Sequence, residues 1–562
     1  MARERRPAAH ELAVPPPAPA IVRDRRPQLE AISLVVAPTP GLDSTALARR
    51  IARRAKLTGW RLERVVDDGT EVELVPPRRG AVRPGRAWDL TYALRDQPEV
   101  VHAEPLFRYL VPENAPRQAP KAGLGGSKPD PKTDTDFEWS LKNARVLTAW
   151  PLFGNREPGA GVRVGHPDTG YTPHPELADP ARVLVGEGFD YDDDDADPLD
   201  DLTSGFLDNP SHGTGTGSVI LSGAGPAPGT QGAFVSGAAP FAELIPIRTT
   251  ESVVLFSMRG LRKAIDHAVA HGAHVVSMSL GGPFKDEAIR RAVQRALDAG
   301  LIVLAAAGNQ VRVVVFPAAF DEVIAVAANN VNDGAWSGSC RGPAVDITAP
   351  GESVWRARSG RDKAGAWTFV VERGDGTSFA VATTAGIAAL WLSFHGWEAL
   401  RAKYGPENIA RVFKQLLQAS CRTPAGWNTH DFGPGIVDAR ALLEAPLPAS
   451  VPARKLRDAR RAPVAADATG VESILHLLPG VPRTRVEPLL ADLLHVPDRD
   501  LPSALQDYGD ELAFHLVMQP PLLDTLRRPA RGARATGSAR QAVRRRLAPR
   551  ASVRLRRQLN RR

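Results

Sequence analysis

Residues 137–445 alternate short apolar segments with amphipathic ones, and this alternation restricts the fold more than any other feature of the chain. GVRVGHP, AELIPIR, AHVVSMSL, LIVLAAAG and VIAVAA are brief runs of the kind that form strands buried on both faces. Between them, LRKAIDHAVAHG and EAIRRAVQRALDAG repeat apolar residues at helical spacing, and each closes on a glycine. A βαβα order of this kind builds a doubly wound parallel sheet, so the expected class is α/β. Sites in such folds lie at the carboxyl ends of the strands.

Smaller units flank this body. Residues 1–28 are rich in Pro, Ala and Arg without periodicity and read as a disordered arm. Over 29–112, AISLVVA predicts a strand and TALARRIARRAK a helix capped by Ser44. WRLERVV and EVELVPP predict strands on either side of an Asp67-Asp68-Gly69 turn. A helix near Asp89–Arg95 and a closing strand VVHAEP complete a β-α-β-β-α-β order, that of a small α+β split-βαβ domain. Residues 113–136, full of Pro, Gly and Lys, form a linker that tolerates a proteolytic nick, and 446–468 form a second linker. VESILHLL, VEPLLADLLHV and LPSALQDYGDELAFHLV predict a small helical module over 469–524.

Charge singles out the last unit. The whole chain of 562 residues carries a net +8, but residues 525–562 hold fourteen arginines and no acid, so the rest is at −6. This Arg-rich tail predicts attraction to a polyanion, a nucleic acid or an anionic membrane surface, weakened by salt. No aromatic residue interleaves the arginines, so base stacking is not supported. A merely solubilising tail is the alternative. No uninterrupted apolar run reaches the length of a bilayer crossing, so no transmembrane segment is expected. Two cysteines, Cys340 and Cys421, exclude a disulfide scaffold. The opening MARERRPAAHELAVPPPAPA has no apolar leader core, which favours the cytoplasm without excluding secretion. A monomer is expected.

Four short motifs fall at predicted strand ends or helix starts. They are Asp168-Thr169-Gly170, His212-Gly213-Thr214-Gly215, Ala306-Ala307-Gly308-Asn309 and Gly376-Thr377-Ser378. Singly each reads as a turn or a cap. Together they supply what nucleophilic catalysis requires. A serine hydroxyl needs an imidazole to take its proton, and the imidazole needs a carboxylate to fix its tautomer. The oxyanion then needs donors, which the N–H of Ser378 at a helix start and the Asn309 amide provide.

With these motifs, and with EWSLKNARVLTAW, GAAPFAELIPIR, MSLGG, FPAAFDEVIAVAA, VDITAPG and FGPGIVDARALL, residues 137–445 resemble the subtilisin-like serine proteases, the subtilase family. The order Asp, His, Ser along the chain is that of subtilisin. The resemblance implies Ser378 as nucleophile, His212 as general base, Asp168 as its orienting partner and Asn309 as oxyanion donor. It implies that Ser279-Leu280-Gly281 and Ala306-Ala307-Gly308 flank a protein or peptide substrate that binds by strand addition. It also implies that the unit at 29–112 is an inhibitory propeptide, cut in the linker that follows.

Two features depart from the family pattern. Ala382 and Thr383 replace a Pro and a His on the serine helix, and Gly215 replaces the His that ordinarily follows HGT. Catalysis by this set requires no cofactor. The acidic stretch Asp190–Asp201 reads either as a solvated loop or as hard oxygen donors for a structural Ca²⁺. His166, His174, His267, His271 and His274 have no metal-ligand spacing. The competing function is a catalytically impaired subtilase-fold interaction protein with a polyanion-binding tail.

Overall fold

In a computed structural model of the chain, the residues described are 27–39, 41–78, 80–108, 130–203, 209–223, 233–254, 257–310, 313–451, 474, 483–519 and 543–561. The arm at 1–26, most of the 113–136 linker and the helix expected at VESILHLL therefore lie largely outside them.

The N-terminal unit runs β1 (Gln28–Val36), α1 (Ser44–Arg54), β2 (Arg61–Arg64), β3 (Glu71–Val75), α2 (Pro84–Arg95) and β4 (Val100–Arg108). Its antiparallel sheet has the order β2-β3-β1-β4, with both helices packed against it. The cap of α1 is Asp43, not Ser44: its carboxylate accepts from the N–H groups of Thr45 and Ala46 at 3.3 and 2.9 Å. A carboxylate at this position also complements the helix dipole.

Three short helical turns, α3 (Pro131–Asp134), α4 (Trp139–Asn143) and α5 (Val146–Ala149), lead into the body. Strands β5 (Arg163–Asp168), β6 (Phe189–Asp190), β7 (Glu243–Arg248), β8 (Val275–Met278), β9 (Ile302–Ala306), β10 (Ile324–Asn329) and β11 (Ile347–Pro350) form one seven-stranded parallel sheet. Its order is β11-β10-β9-β8-β5-β7-β6, so β7 and β8 lie on opposite sides of β5. This reversal opens a crevice at the carboxyl ends of β5 and β8.

Helices α6 (His212–Leu221), α7 (Met258–Ala270), α8 (Glu287–Asp298) and α9 (Thr377–His395) cover the sheet. An antiparallel hairpin of β12 (Val354–Arg361) and β13 (Trp367–Gly374) precedes α9. Helices α10 (Trp397–Tyr404), α11 (Ile409–Ala419), α12 (Thr429–Phe432) and α13 (Ala439–Glu444) complete the body. Helix α9 is long and apolar enough to cross a membrane, yet its first sixteen residues are all buried in the core. Cys340 and Cys421 are not joined in a disulfide.

The alternation in EVELV has a different meaning from the usual apolar-in, polar-out pattern. Val72 and Leu74 face the unit's own core, while Glu71 and Glu73 are also buried. Glu71 pairs with Arg291 and Arg295 of α8 at 2.9 and 2.8 Å, and Glu73 with Arg259 and Arg262 of α7 at 2.6 and 2.8 Å. Glu104 of β4 pairs with Arg291 at 3.4 Å and accepts from the N–H of Glu287 at the start of α8. Desolvation offsets much of the attraction in such buried pairs, but losing one partner costs about 3–5 kcal/mol, so they fix the register of docking.

The C-terminal elements are α14 (Arg483–Leu493), α15 (Leu501–Val517) and α16 (Val553–Leu559). A second apolar cluster joins Leu490, Leu494, Leu505, Leu512 and Leu516 to Val543, Leu547, Leu555 and Leu559. The boundary expected at 525 lies outside the described residues. Leucines spaced along the described end of the tail pack into the helical module, while Arg544 and Arg556 donate to main-chain carbonyls and Arg554 pairs with Asp96 at 2.7 Å.

Candidate active site

Asp168 is the last residue of β5 and is completely buried. Its Oδ1 accepts from the N–H of Thr169 at 2.7 Å and lies 2.7 Å from Nδ1 of His212. Oδ2 accepts from the hydroxyl of Thr216 at 3.2 Å, and Oγ1 of Thr216 is 3.0 Å from Nε2 of buried His166. Burial works to raise the Asp168 carboxyl, but the charge and hydrogen bond of His212, with His166 behind, outweigh it and hold it below the usual range. Burial lowers the pKa of His166, against the attraction of Asp168.

His212 opens α6. The preceding residue, Ser211, has the left-handed φ of +63°, a conformation that a residue with a side chain keeps only when held. Here its N–H donates to Asp200 at 2.8 Å, and its hydroxyl accepts from the N–H of Ser359 at 2.8 Å. Gly213 lies so close to the β5 loop that a Cβ would meet the Gly170 carbonyl at 2.1 Å.

Ser378 is the second residue of α9, where the N–H has no intrahelical acceptor. Its hydroxyl faces the carbonyl of Ser279 at 3.5 Å, and the Ser279 hydroxyl donates to the Ser378 carbonyl at 3.2 Å. Nε2 of His212 is buried with no hydrogen-bond partner among the described residues. Oδ1 of Asn309 accepts from the N–H and hydroxyl of Thr377 at 3.0 and 2.9 Å, so the amide is fixed with Nδ2 pointing away from them. A point one bond above Gly376 lies 3.5 Å from Nδ2 of Asn309, 3.6 Å from N of Ser378 and 3.7 Å from its Oγ. Two donors and a hydroxyl therefore surround one small empty volume.

The predicted substrate-flanking residues also lie here. Ser279-Leu280-Gly281 follows β8, and Ala307-Gly308 follows β9, which ends at Ala306. Some of their main-chain groups are already engaged. The N–H of Gly281 donates to Val253 at 2.9 Å, the carbonyl of Ala307 accepts from Val315 at 3.0 Å, and that of Gly308 accepts from Cys340 at 2.9 Å. A peptide adding along Gly281 therefore has to displace Val253.

The acidic stretch does not present a cation cage. Buried Arg248 fills its centre, bonded to Asp190, to Asp193 at 2.7 Å and to Asp201 at 2.8 Å. Among the described residues no group of three or more His, Cys, Asp or Glu side chains has the arrangement to hold a metal ion. The donor set at Asp190–Asp201 does not fit Ca²⁺, because the guanidinium already supplies the positive charge.

Residues 159–435 match the model of the subtilase family. Thermitase of Thermoactinomyces vulgaris is 30% identical over 254 residues, which is 45% of this chain and 82% of that one. The chain is a subtilase. Subtilisin E of Bacillus subtilis (strain 168) is 31% identical over 246 residues, which is 42% of this subtilase and 57% of that relative. Fervidolysin from Fervidobacterium pennivorans, a keratinolytic enzyme related to subtilisin, superposes with a TM-score of 0.53 at 19% identity, covering 76% of this subtilase and 62% of that chain. That likeness concerns the fold. As a member of the family, this subtilase is a serine endopeptidase of the subtilisin type.

Sequence reasoning missed the supporting residues His166 and Thr216 in this subtilase, and Arg356 of β12, whose Cδ lies 2.9 Å from where a Cβ on Gly215 of α6 would stand. Thr216 lies four residues after His212, one helical turn on, which is a readable signal for a residue on the same face. His166 lies two residues before Asp168 on one strand, hence on the same side of the sheet. Nothing in the sequence alone brings Arg356 to α6.

Proposed function

We propose that this subtilase hydrolyses peptide bonds through Asp168, His212 and Ser378, with Asn309 and the N–H of Ser378 receiving the oxyanion. The observation that carries the reading is the 2.7 Å contact between Asp168 and Nδ1 of His212, which leaves Nε2 on the far side of the ring as the proton acceptor. The Ser378 hydroxyl leaves the Ser279 carbonyl and gives its proton to Nε2 as Oγ attacks the substrate carbonyl carbon. The oxygen that gains the negative charge is received above Gly376. His212 then returns the proton to the departing amine, leaving an acyl ester on Ser378. Water enters, loses a proton to His212 and attacks the ester. Collapse of that second tetrahedral species frees the acid as His212 gives its proton to Oγ, which restores the serine and the neutral imidazole.

The N-terminal unit acts as an inhibitory propeptide in this reading. Its last strand supports the role: Arg108 forms an antiparallel bridge with Ser257, four residues from the Val253 that occupies the Gly281 edge. A fluorophosphonate probe tests the triad. Labelling of Ser378 that disappears in His212→Ala and Ser378→Ala is expected, and equal labelling of His212→Ala and the parent refutes it.

A further inference from the structure

We propose that the C-terminal helical module is a clamp that retains the N-terminal unit on the protease body after the chain between them has been cut. The N-terminal unit is held on two sides. Its acidic strand face meets the arginines of α7 and α8. Its α2 side meets the C-terminal module, which no part of the catalytic chemistry requires.

The second contact has a core. Phe514 of α15 is 3% exposed and stacks on Phe107 of β4, with centroids 4.7 Å apart and planes at 27°. Trp88 of α2 lies 6.3 Å from the same ring, and Phe284 of the body lies 6.1 Å from it. One aromatic side chain thus joins all three parts of the molecule. Beside it, fully buried Glu511 accepts from the Tyr92 hydroxyl at 3.0 Å and from the N–H and hydroxyl of Ser552 at 2.6 and 2.8 Å. A carboxylate buried this completely needs all of its donors, so losing Tyr92 is unfavourable.

Polar contacts close the rim. The N–H of Val553, first residue of α16, donates to Asp89 at 2.7 Å, Arg554 pairs with Asp96, and Arg95 pairs with Asp510 at 3.4 Å. At the start of α2, a Cβ on Gly85 would meet the Arg550 carbonyl at 2.7 Å, so the tail's main chain lies directly against the helix. Part of the tail's positive charge is therefore spent on the N-terminal unit. The consequence is regulatory. Scission in the linker does not by itself free the cleft, and activation requires the C-terminal module to let go or be removed. That regulatory half rests on the propeptide reading above; the retention itself does not.

The test uses the full chain carrying Ser378→Ala and a recognition site for a sequence-specific foreign protease between residues 113 and 129. After complete cutting, the N-terminal fragment is expected to co-elute with the remainder on size exclusion. Phe514→Ala, and independently Gly85→Leu, are expected to speed its dissociation at least tenfold, and a chain ending at 451 to speed it further. Unchanged dissociation from the chain ending at 451 overturns the clamp. If Phe514→Ala misfolds, Gly85→Leu decides, since it alters only the surface of the N-terminal unit. Because the cut is made by another enzyme in an inactive variant, the outcome is independent of the triad. Repeating the cut with Ser378 present reads the regulatory half: peptidase activity is expected to appear more slowly in the full chain than in the chain ending at 451. Equal onset with the fragment still bound overturns that half alone.

Discussion

Arg356 occupies the space that a side chain at position 215 would need. A Cβ on Gly215 would lie 2.9 Å from Cδ of Arg356 and 3.2 Å from the Ala357 carbonyl. Arg356 is 3% exposed, pairs with Glu372 at 2.7 Å, and has its guanidinium 5.9 Å from the centre of the Phe379 ring, next to Ser378. Burial lowers its pKa to about 10, with Glu372 opposing. The glycine at this position therefore leaves room beside α6 that an arginine from β12 fills. The other departure has a similar local account: Ala382 and Thr383 are buried in an unbroken α9, with the Thr383 hydroxyl bonded to the Phe379 carbonyl at 2.9 Å.

Gly215→His is expected to destabilise the protein by about 1–3 kcal/mol, the usual range for overpacking a filled site. Combined with Arg356→Ala it is expected to cost less than the two single changes together, with a coupling of about 1 kcal/mol or more. Denaturant midpoints of the four proteins check this, and strict additivity would contradict the close packing of Arg356 on Gly215.

The oxyanion volume above Gly376 yields a second expectation. Loss of one oxyanion donor in subtilisin lowers turnover about 10²–10³-fold, and Asn309→Ala is expected in that range. Gly376→Ala adds a methyl whose nearest neighbours are at 3.5–3.7 Å, so the fold accepts it while the space for the oxyanion is filled. Turnover should fall steeply with little change in the melting temperature. Steady-state kinetics with a chromogenic peptide, paired with thermal melts, distinguish this from unfolding.

Asp200 provides a pH-dependent expectation. Burial pushes its carboxyl up to about 6, against hydrogen bonds from Thr169 and the N–H groups of Leu202 and Ser211. Because the folded chain holds this proton more tightly than the unfolded one, the contribution to stability is full below the unfolded value of 3.8. It declines as pH rises and is lost above about 6, a change of about 3 kcal/mol. Asp200→Asn should flatten that part of the stability curve. Urea unfolding at pH 4 and pH 7.5 measures the difference, and identical slopes in both proteins would rule it out.

Arg248 and the acidic stretch make a fourth case. Arg248→Met leaves Asp190, Asp193 and Asp201 without their shared cation, and a cost of about 3–5 kcal/mol is expected for breaking a buried pair on one side. The variant, but not the parent through this loop, should then gain thermal stability from millimolar Ca²⁺. Melting curves with and without a chelator check both halves.

The body's fold was legible because strands buried on both faces are largely apolar, as LIVLAAAG and VIAVAA are. Asp168, His212, Asn309 and Ser378 were read as candidates because each stands at a strand end or helix start, and the structure brings Asp168 against His212 and Asn309 close to the start of α9. The supporting residues were less legible. Thr377 read as part of an ordinary cap, and among the tail's arginines the leucine spacing of Leu547, Leu555 and Leu559 went unread.

The sequence by itself determined the α/β class, the N-terminal β-α-β-β-α-β unit and the residue types of the site, since periodicity and short motifs are local properties of a chain. Only the tertiary structure decided that Glu71 and Glu73 face arginines and not water, that Arg248 stands among the aspartates of the acidic stretch, and that Arg356 fills the space at Gly215. Each of these depends on which charges are brought together across long separations in the chain. Once buried, a charge is tolerated only where a partner stands opposite, and local pattern carries no record of that partner.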